Sequence, residues 1–231
     1  MKVLLSWSSG KDSAWALHVL RRDGIGTVGG LLTSINEVAG RVSMHGVREE
    51  ILHAQAAAAG LPVRVIRLPW PCTNEIYESR MADAVAAAVA DGYTHIAFGD
   101  LFLEDVRAYR EAKLSGTGLT PIFPLWGIPT ATLARDMIAG GLGAKIATLN
   151  PKVLSREFIG ADFDEALLAR LPATVDPCGE RGEFHTCVTA GPMFTAPIAL
   201  IAGEVLEREG FVYGDLQLRA TTAPPAIAAG S

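Results

Sequence analysis

Residues 8–13, Ser-Ser-Gly-Lys-Asp-Ser, gather three hydroxyls, an amine and a carboxylate around one glycine. That set suits an anion with several oxygens. Gly10 lets the backbone turn tightly, Ser8, Ser9 and Ser13 offer hydroxyls, and Lys11 offers positive charge. The stretch does not fit the mononucleotide loop Gly-x4-Gly-Lys-Ser/Thr, because Leu5 stands at the first glycine position and Asp12 at the hydroxyl position. It does not fit Gly-x-Gly-x-x-Gly either, since Gly10 is the sole glycine of the turn. Asp12 is therefore informative. An acid in a phosphate loop has a use when magnesium bridges its carboxylate to phosphate oxygens.

Two further groups of residues can do chemistry. Asp100 follows the apolar run 95–98 with Gly99 between, so both are expected at a strand's carboxyl end, where a carboxylate meets magnesium or a nucleotide. Capping a helix that starts near Leu103 is the plainer role for Asp100. Downstream, Glu104, Arg107 and Arg110 lie three apart on a helical stretch. An arginine there can meet a phosphate or substrate carboxylate, or simply pair with Glu104 in solvent. The second group is 178–187, Cys-Gly-Glu-Arg-Gly-Glu-Phe-His-Thr-Cys. Gly179 and Gly182 permit tight turns, and Glu180, Glu183 and His185 bring two carboxylates and an imidazole together, a set able to bind a cation or act as general base. If this segment is extended, Glu183 and His185 project to one face. Cys178 and Cys187 lack metal-ligand spacing and read as structural thiols.

The elements that must position these residues alternate in type. Apolar runs at 2–7, 27–35, 62–69 and 94–100 read as strands, and 12–24, 47–60 and about 73–91 as helices, with Gly60 a C-cap. Strands and helices alternating at these lengths predict an α/β fold, a Rossmann-like parallel sheet with right-handed crossovers. The loop at 8–13 then joins the first strand to the first helix, with Asp12 or Ser13 available as N-cap. Beyond 127 come a helix at 130–139, a glycine cluster and shorter strands. These predict a smaller C-terminal α+β substrate domain over 128–219, following a nucleotide domain over 1–127. Two strands turn about Glu209-Gly210, and 220–231 is expected to be a disordered tail.

Apolar residues make up 49% of the 231 and charged residues 19%, as in a globule with wide buried faces. A net charge of -5 disfavours nucleic acid as a partner held by charge. Polar residues from Ser6 onward leave too short an apolar run for a secretory signal, and Pro and Gly interrupt the longest uncharged stretch, so no membrane span is expected. Three cysteines without pairing or CxxC spacing predict a reducing, cytoplasmic setting.

The stretch Ser8–Ser13 resembles the pyrophosphate-binding PP-loop, Ser-Gly-Gly-x-Asp-Ser/Thr, of the N-type ATP pyrophosphatases, with Ser9 at the usual first glycine. Together with 42–63, 95–111, 118–127 and 176–186, the chain up to about residue 215 resembles the diphthine–ammonia ligase family. That resemblance implies ATP and Mg2+ as cofactors and cleavage of ATP to AMP and pyrophosphate. Its partners would be a carboxylate-bearing substrate, which can be a protein side chain, and ammonia; a homodimer is compatible with it. By the same resemblance, Ser8, Ser9, Gly10, Lys11, Asp12, Ser13, Thr33, His45, Gly99 and Asp100 would contact ATP, with Ser34 beside Thr33 at the adenine edge and Asp12 and Asp100 on the metal. Lys11, Asp12, Glu183 and His185 would be catalytic, and Glu104, Arg107, Arg110, Glu180 and Glu183 would face the substrate. The motif departs from the family's Gly-Glu-Gly-Gly-Glu-Tyr-Glu-Thr at Arg181, Phe184 and His185. A tRNA-modifying PP-loop enzyme and a non-catalytic adenine-nucleotide sensor are the alternatives.

Overall fold

Lys2–Ser6 forms β1, in which Val3, Leu4 and Leu5 have no exposed surface. A strand apolar on both faces needs cover on both, the condition met by a parallel sheet between helices. The computed structural model describes residues 1–219 and supplies that sheet; the tail expected over 220–231 lies outside the described residues. β1 runs parallel to β2 (Thr27–Asn36) on one side and to β5 (His95–Ala97) on the other. The two-residue β3 (Arg41–Val42) pairs antiparallel with the far end of β2. β4 (Val63–Leu68) extends the sheet beyond β2, and β6 (Thr120–Ile122) extends it beyond β5, both in parallel. The architecture is mixed α/β with a mostly parallel central sheet, consistent with a Rossmann-like unit. β3 and β6 were not expected: with two and three residues they are too short to show a period, and β6 contains Pro121.

Helices α1 (Lys11–Arg22), α2 (Glu49–Ala59), α3 (Asn74–Ala90) and α4 (Glu104–Leu114) connect the strands. Gly60 ends α2 in the left-handed conformation, φ 65°, as expected of a C-cap. The chain passes from β1 through α1 to β2, then on to β4, and returns through α3 to β5 on the other side of β1. That reversal opens a crevice between the carboxyl ends of β1 and β5, where α/β sheets hold their ligands.

Beyond β6 lie α5 (Thr130–Ala139), α6 (Glu165–Arg170) and a second, antiparallel sheet. Its order is β8 (Phe184–Ala190), β7 (Gly143–Leu149), β10 (Phe211–Leu218), β9 (Leu200–Arg208). The β9–β10 hairpin turns at Glu209-Gly210, both at positive φ, as expected. One buried apolar cluster includes Val3, Leu5 and Leu17 of the first part and Ile146, Leu149, Phe184 and Val188 of the second. β8 lies against the start of α1: Val188 N–H donates to Ser9 O (2.9 Å), and Lys11 N–H to Thr186 Oγ1 (3.0 Å). Among the described residues no helix is long and apolar enough to cross a membrane.

Candidate functional site

The crevice is a cleft of about 560 Å3 lined by Ser8, Lys11, Asp12, Ser13, Ser34, His45, Gly99, Asp100, Arg110, Glu180 and His185, among others. Its floor is the turn from β1 into α1. The N-cap of α1 is Gly10, which supplies no capping side chain, and contrary to expectation neither Asp12 nor Ser13 takes that place; the first N–H of the helix, that of Lys11, is taken by Thr186 Oγ1 from β8. Ser13 Oγ instead donates to Gly10 O (3.0 Å) and lies 3.2 Å from Ser8 Oγ. No local side chain covers the helix start, whose positive end lies at the cleft floor.

Ser9 explains why glycine suits its position. Its φ is 69°, the left-handed region, and its Oγ is buried without a partner. The strained turn is held from outside: Gln55 Nε2 donates to Ser9 O (3.2 Å) and to Val188 O (2.8 Å), while its Oε1 accepts from Trp7 Nε1 (3.0 Å). Gln55 was missed in the sequence, although a lone amide in an alanine-rich helix was the available signal.

Lys11 is 2% exposed and donates to Asp12 Oδ2 (2.9 Å) and to the carbonyl of Cys178. Burial works against its charge, but Asp12 beside it wins, aided by Cys178 and Glu180, and the ammonium is held above its ordinary value. Burial pushes the Asp12 carboxyl up against the pull of Lys11. Asp12 Oδ1 is buried with no partner.

Gly99 approaches this loop closely: a Cβ there would stand 2.8 Å from the carbonyl carbon of Asp12. Asp100 receives both Nε (2.5 Å) and Nη2 (3.0 Å) of Arg110, whose guanidinium lies over Phe98. Asp100 therefore does not cap α4, whose N-cap is Leu103. Arg107 turns away from the cleft to Glu111 (2.8 Å) and the rings of Phe123 and Trp126, so the expected Glu104–Arg107 pair is not formed. Glu104 is exposed on the first turn of α4 and does not line the cleft. Thr33 is also absent from the lining: strand alternation turns it inward, where its hydroxyl donates to Trp7 O (2.8 Å), while Ser34 faces the cleft.

The turn before β8 separates Glu180 from Glu183. Glu183 is buried, and its two oxygens accept Asp176 N–H (3.0 Å) and Arg181 N–H (2.9 Å), so it shapes the turn and does not line the cleft. The one-face pattern expected of Glu183 and His185 breaks because β8 begins only at Phe184. Asp176 does similar work, accepting from Cys178 N–H (2.9 Å) and Glu180 N–H (3.3 Å). Glu180 faces the cleft, with Oε1 accepting Leu101 N–H (2.8 Å). Burial raises its carboxyl to about 7, against the pull of the Leu101 N–H and reinforced by Asp12.

A weak likeness to a known protein accompanies this geometry. No family model matches the chain. A diphthine–ammonia ligase of Schizosaccharomyces pombe is 32% identical over 94 residues, 39% of this chain and 16% of that protein. The chain is thus similar over part of its length to a small part of that ligase.

Two adjoining imidazoles, His45 and His185, also line the cleft, with centroids 4.6 Å apart and planes tilted by 36°. His45 Nδ1 lies 3.0 Å from Thr186 O, which makes it the N–H donor and leaves Nε2 with its lone pair. Burial lowers His45 to about 4, and burial with His45 and Lys11 nearby lowers His185 to about 3, so both rings are neutral at pH 7. His185 Nε2 is a third buried atom without a partner. Gly10 makes room for the pair, since a Cβ there would meet His45 Cε1 at 2.5 Å. Burial raises the thiols of Cys178 and Cys187 to about 12. Among the described residues no three His, Cys, Asp or Glu side chains form a metal cluster.

Proposed function

We propose that the cleft binds ATP, adenylates a carboxylate with release of pyrophosphate, and amidates the acyl-adenylate with ammonia. The observation that carries this reading is the Ser8–Ser13 loop at the switch point, with a helix start whose N-cap is glycine and unpartnered Ser9 Oγ and Asp12 Oδ1. Likeness to a diphthine–ammonia ligase supports it. The N–H groups at the helix start, Ser8, Ser13 and Lys11 would hold the leaving phosphates. A hard cation fits Asp12, whose Oδ1 is free, better than Asp100, both of whose oxygens are engaged by Arg110. When bound, magnesium would neutralise charge developing on the phosphate oxygens.

In the first step a carboxylate oxygen attacks the α-phosphorus and the bond to pyrophosphate breaks. In the second, ammonia forms the C–N bond, AMP leaves, and the surplus proton passes to Glu180, whose proton affinity near neutrality suits a general base. This gives Glu180 the role expected of Glu183. His45 and His185, neutral, would position the nitrogen or a phosphate oxygen by hydrogen bonds. The setting is taken to be cytoplasmic.

Lys11→Ala and Asp12→Ala should each lower ATP–pyrophosphate exchange by about 10²–10³-fold, the scale for removing one preorganised electrostatic contact. Circular dichroism should stay unchanged. Unchanged exchange in both variants refutes the site. ATP binding without pyrophosphate release from any carboxylate assigns a nucleotide sensor instead.

A further inference from the structure

A second cavity, of about 440 Å3, adjoins the cleft. The two share Val42, Ser43, Met44, Leu68 and Cys72 as a common wall. Beyond that wall the lining is mainly apolar: Val38, Pro69, Trp70, Leu206 and Tyr213. Val38, Met44 and Trp70 are 74%, 67% and 54% exposed, so large apolar side chains left in water converge on one concavity. Its volume is that of a small-molecule site.

The charges set back in its wall are paired. Arg41 donates to Gly46 O (2.8 Å) and Asp215 Oδ1 (2.7 Å). Asp215 also accepts from Arg48 through both oxygens and from Gln217. Arg208 and Glu209 are neighbours of opposite sign at the hairpin tip. An ionic group placed deep in this cavity would find Arg41 and Asp215 already paired, with Arg208 and Glu209 out at the exposed hairpin tip; an uncharged apolar group would find a matching surface.

The dividing ridge is firmly placed. Thr148 Oγ1 donates to His45 O (2.8 Å), and Gly46 packs so closely on Tyr213 that a Cβ would stand 2.6 Å from its Cδ1. Just before them Met44 is held at φ 64°, a conformation costly for methionine. Its side chain lines both cavities and His45 lines the cleft.

We propose that this cavity holds the uncharged apolar body of the carboxylate substrate, with the carboxylate reaching across the Ser43–Met44 ridge to the bound nucleotide. This rests on the ligase reading and adds the substrate class: an acid with an aliphatic or aromatic body.

The test measures pyrophosphate release with ATP, ammonium, and acetate, butyrate, hexanoate or 3-phenylpropionate. The carboxylate kcat/KM should climb roughly fourfold per methylene buried. Trp70→Ala combined with Leu206→Ala should flatten the series while leaving the KM for ATP unchanged. A flat series in the native protein overturns the proposal, as does a double variant whose KM for ATP rises as much as that for the acid, which would give the cavity to the adenine. Calorimetry of 3-phenylpropionate without ATP separates the two readings. Binding weakened tenfold or more in the double variant supports the cavity assignment even if no acid releases pyrophosphate, a result that refutes only the ligase reading. No binding by calorimetry, with acetate turned over as well as hexanoate, refutes the cavity assignment and leaves the ligase.

Discussion

Glu180→Gln should make this protein more stable and less active, and the two effects should share one pH dependence. The Glu180 carboxyl is raised from 4.5 to about 7, mainly by burial. Below pH 4.5 it is protonated in both folded and unfolded chains and contributes nothing. Between 4.5 and about 7 the unfolded chain gives up the proton while the folded chain keeps it, so native stability falls as pH rises. Each tenfold change in proton affinity is worth about 1.4 kcal/mol, so the loss levels off above pH 7 at about 3 kcal/mol, an upper figure because the side chain is only partly buried. Glutamine is isosteric with the protonated acid, and its carbonyl can still accept Leu101 N–H. The variant should match the native protein at pH 4.5 and melt about 6–12 °C higher at pH 8. Amidation should drop about 10²–10⁴-fold, whereas ATP–pyrophosphate exchange should persist, because the acid is used only in the second step. Thermal melts across pH 4.5–8.5 with the two partial reactions check this. A melting difference that does not grow with pH would show that Glu180 is not desolvated as described, and loss of both partial reactions together would remove it as the base of the second.

Ser9→Gly should relieve a left-handed serine and a buried, unpartnered hydroxyl, stabilising the ligand-free protein by about 1–2 kcal/mol. If that hydroxyl serves a phosphate, the rise in melting temperature on adding ATP should shrink in the same variant; an unchanged ligand-free melt contradicts the strain. Asp215→Asn should cost about 2–3 kcal/mol at pH 7, since it leaves Arg41 and Arg48 facing each other with no anion. Arg48 and its companions hold the Asp215 carboxyl well below its ordinary value, so this contribution is present at neutral pH, starts to fall below about pH 4 and is lost only as pH drops through the lower folded-state value. Urea titrations at pH 7 and pH 3 should show the gap between native and variant narrowing; a gap of equal size at both pH values rejects the ion-pair account.

The local signals in the sequence located the loop but not what holds it. Period, apolar runs and glycine placement gave β1, β2, β4 and the helices between them, because each is long enough for its pattern to repeat, and the three-residue β5 was found only as part of the longer apolar run 94–100. Gly99 and Asp100 were placed at the cleft by the simple rule that ligands sit at strand carboxyl ends. What failed were statements about partners. Arg107 and Arg110 share a helix, yet one meets Glu111 and the other Asp100, a choice set by how α4 packs against the end of β5. Glu180 and Glu183 are chemically identical, and only the fold of the turn shows that one faces the cleft while the other has both oxygens taken by backbone N–H groups.

That turn also accounts for the second sheet. The Ser8–Ser13 loop, with a glycine N-cap, a left-handed serine and a buried lysine, is costly by itself, since each feature opposes folding. The contacts that stabilise it come from far along the chain: Thr186 takes Lys11 N–H, the Cys178 carbonyl takes its ammonium, and Val188 binds Ser9 O. The segment that stabilises the loop is also the one that brings Glu180 and His185 into the cleft. Asp176 and Glu183 hold that segment's backbone without facing the cleft, so their loss should disturb Lys11 and Glu180 together. The proposed anion site and the proposed proton acceptor are therefore held by one segment, which Lys11 meets at Thr186 and Cys178.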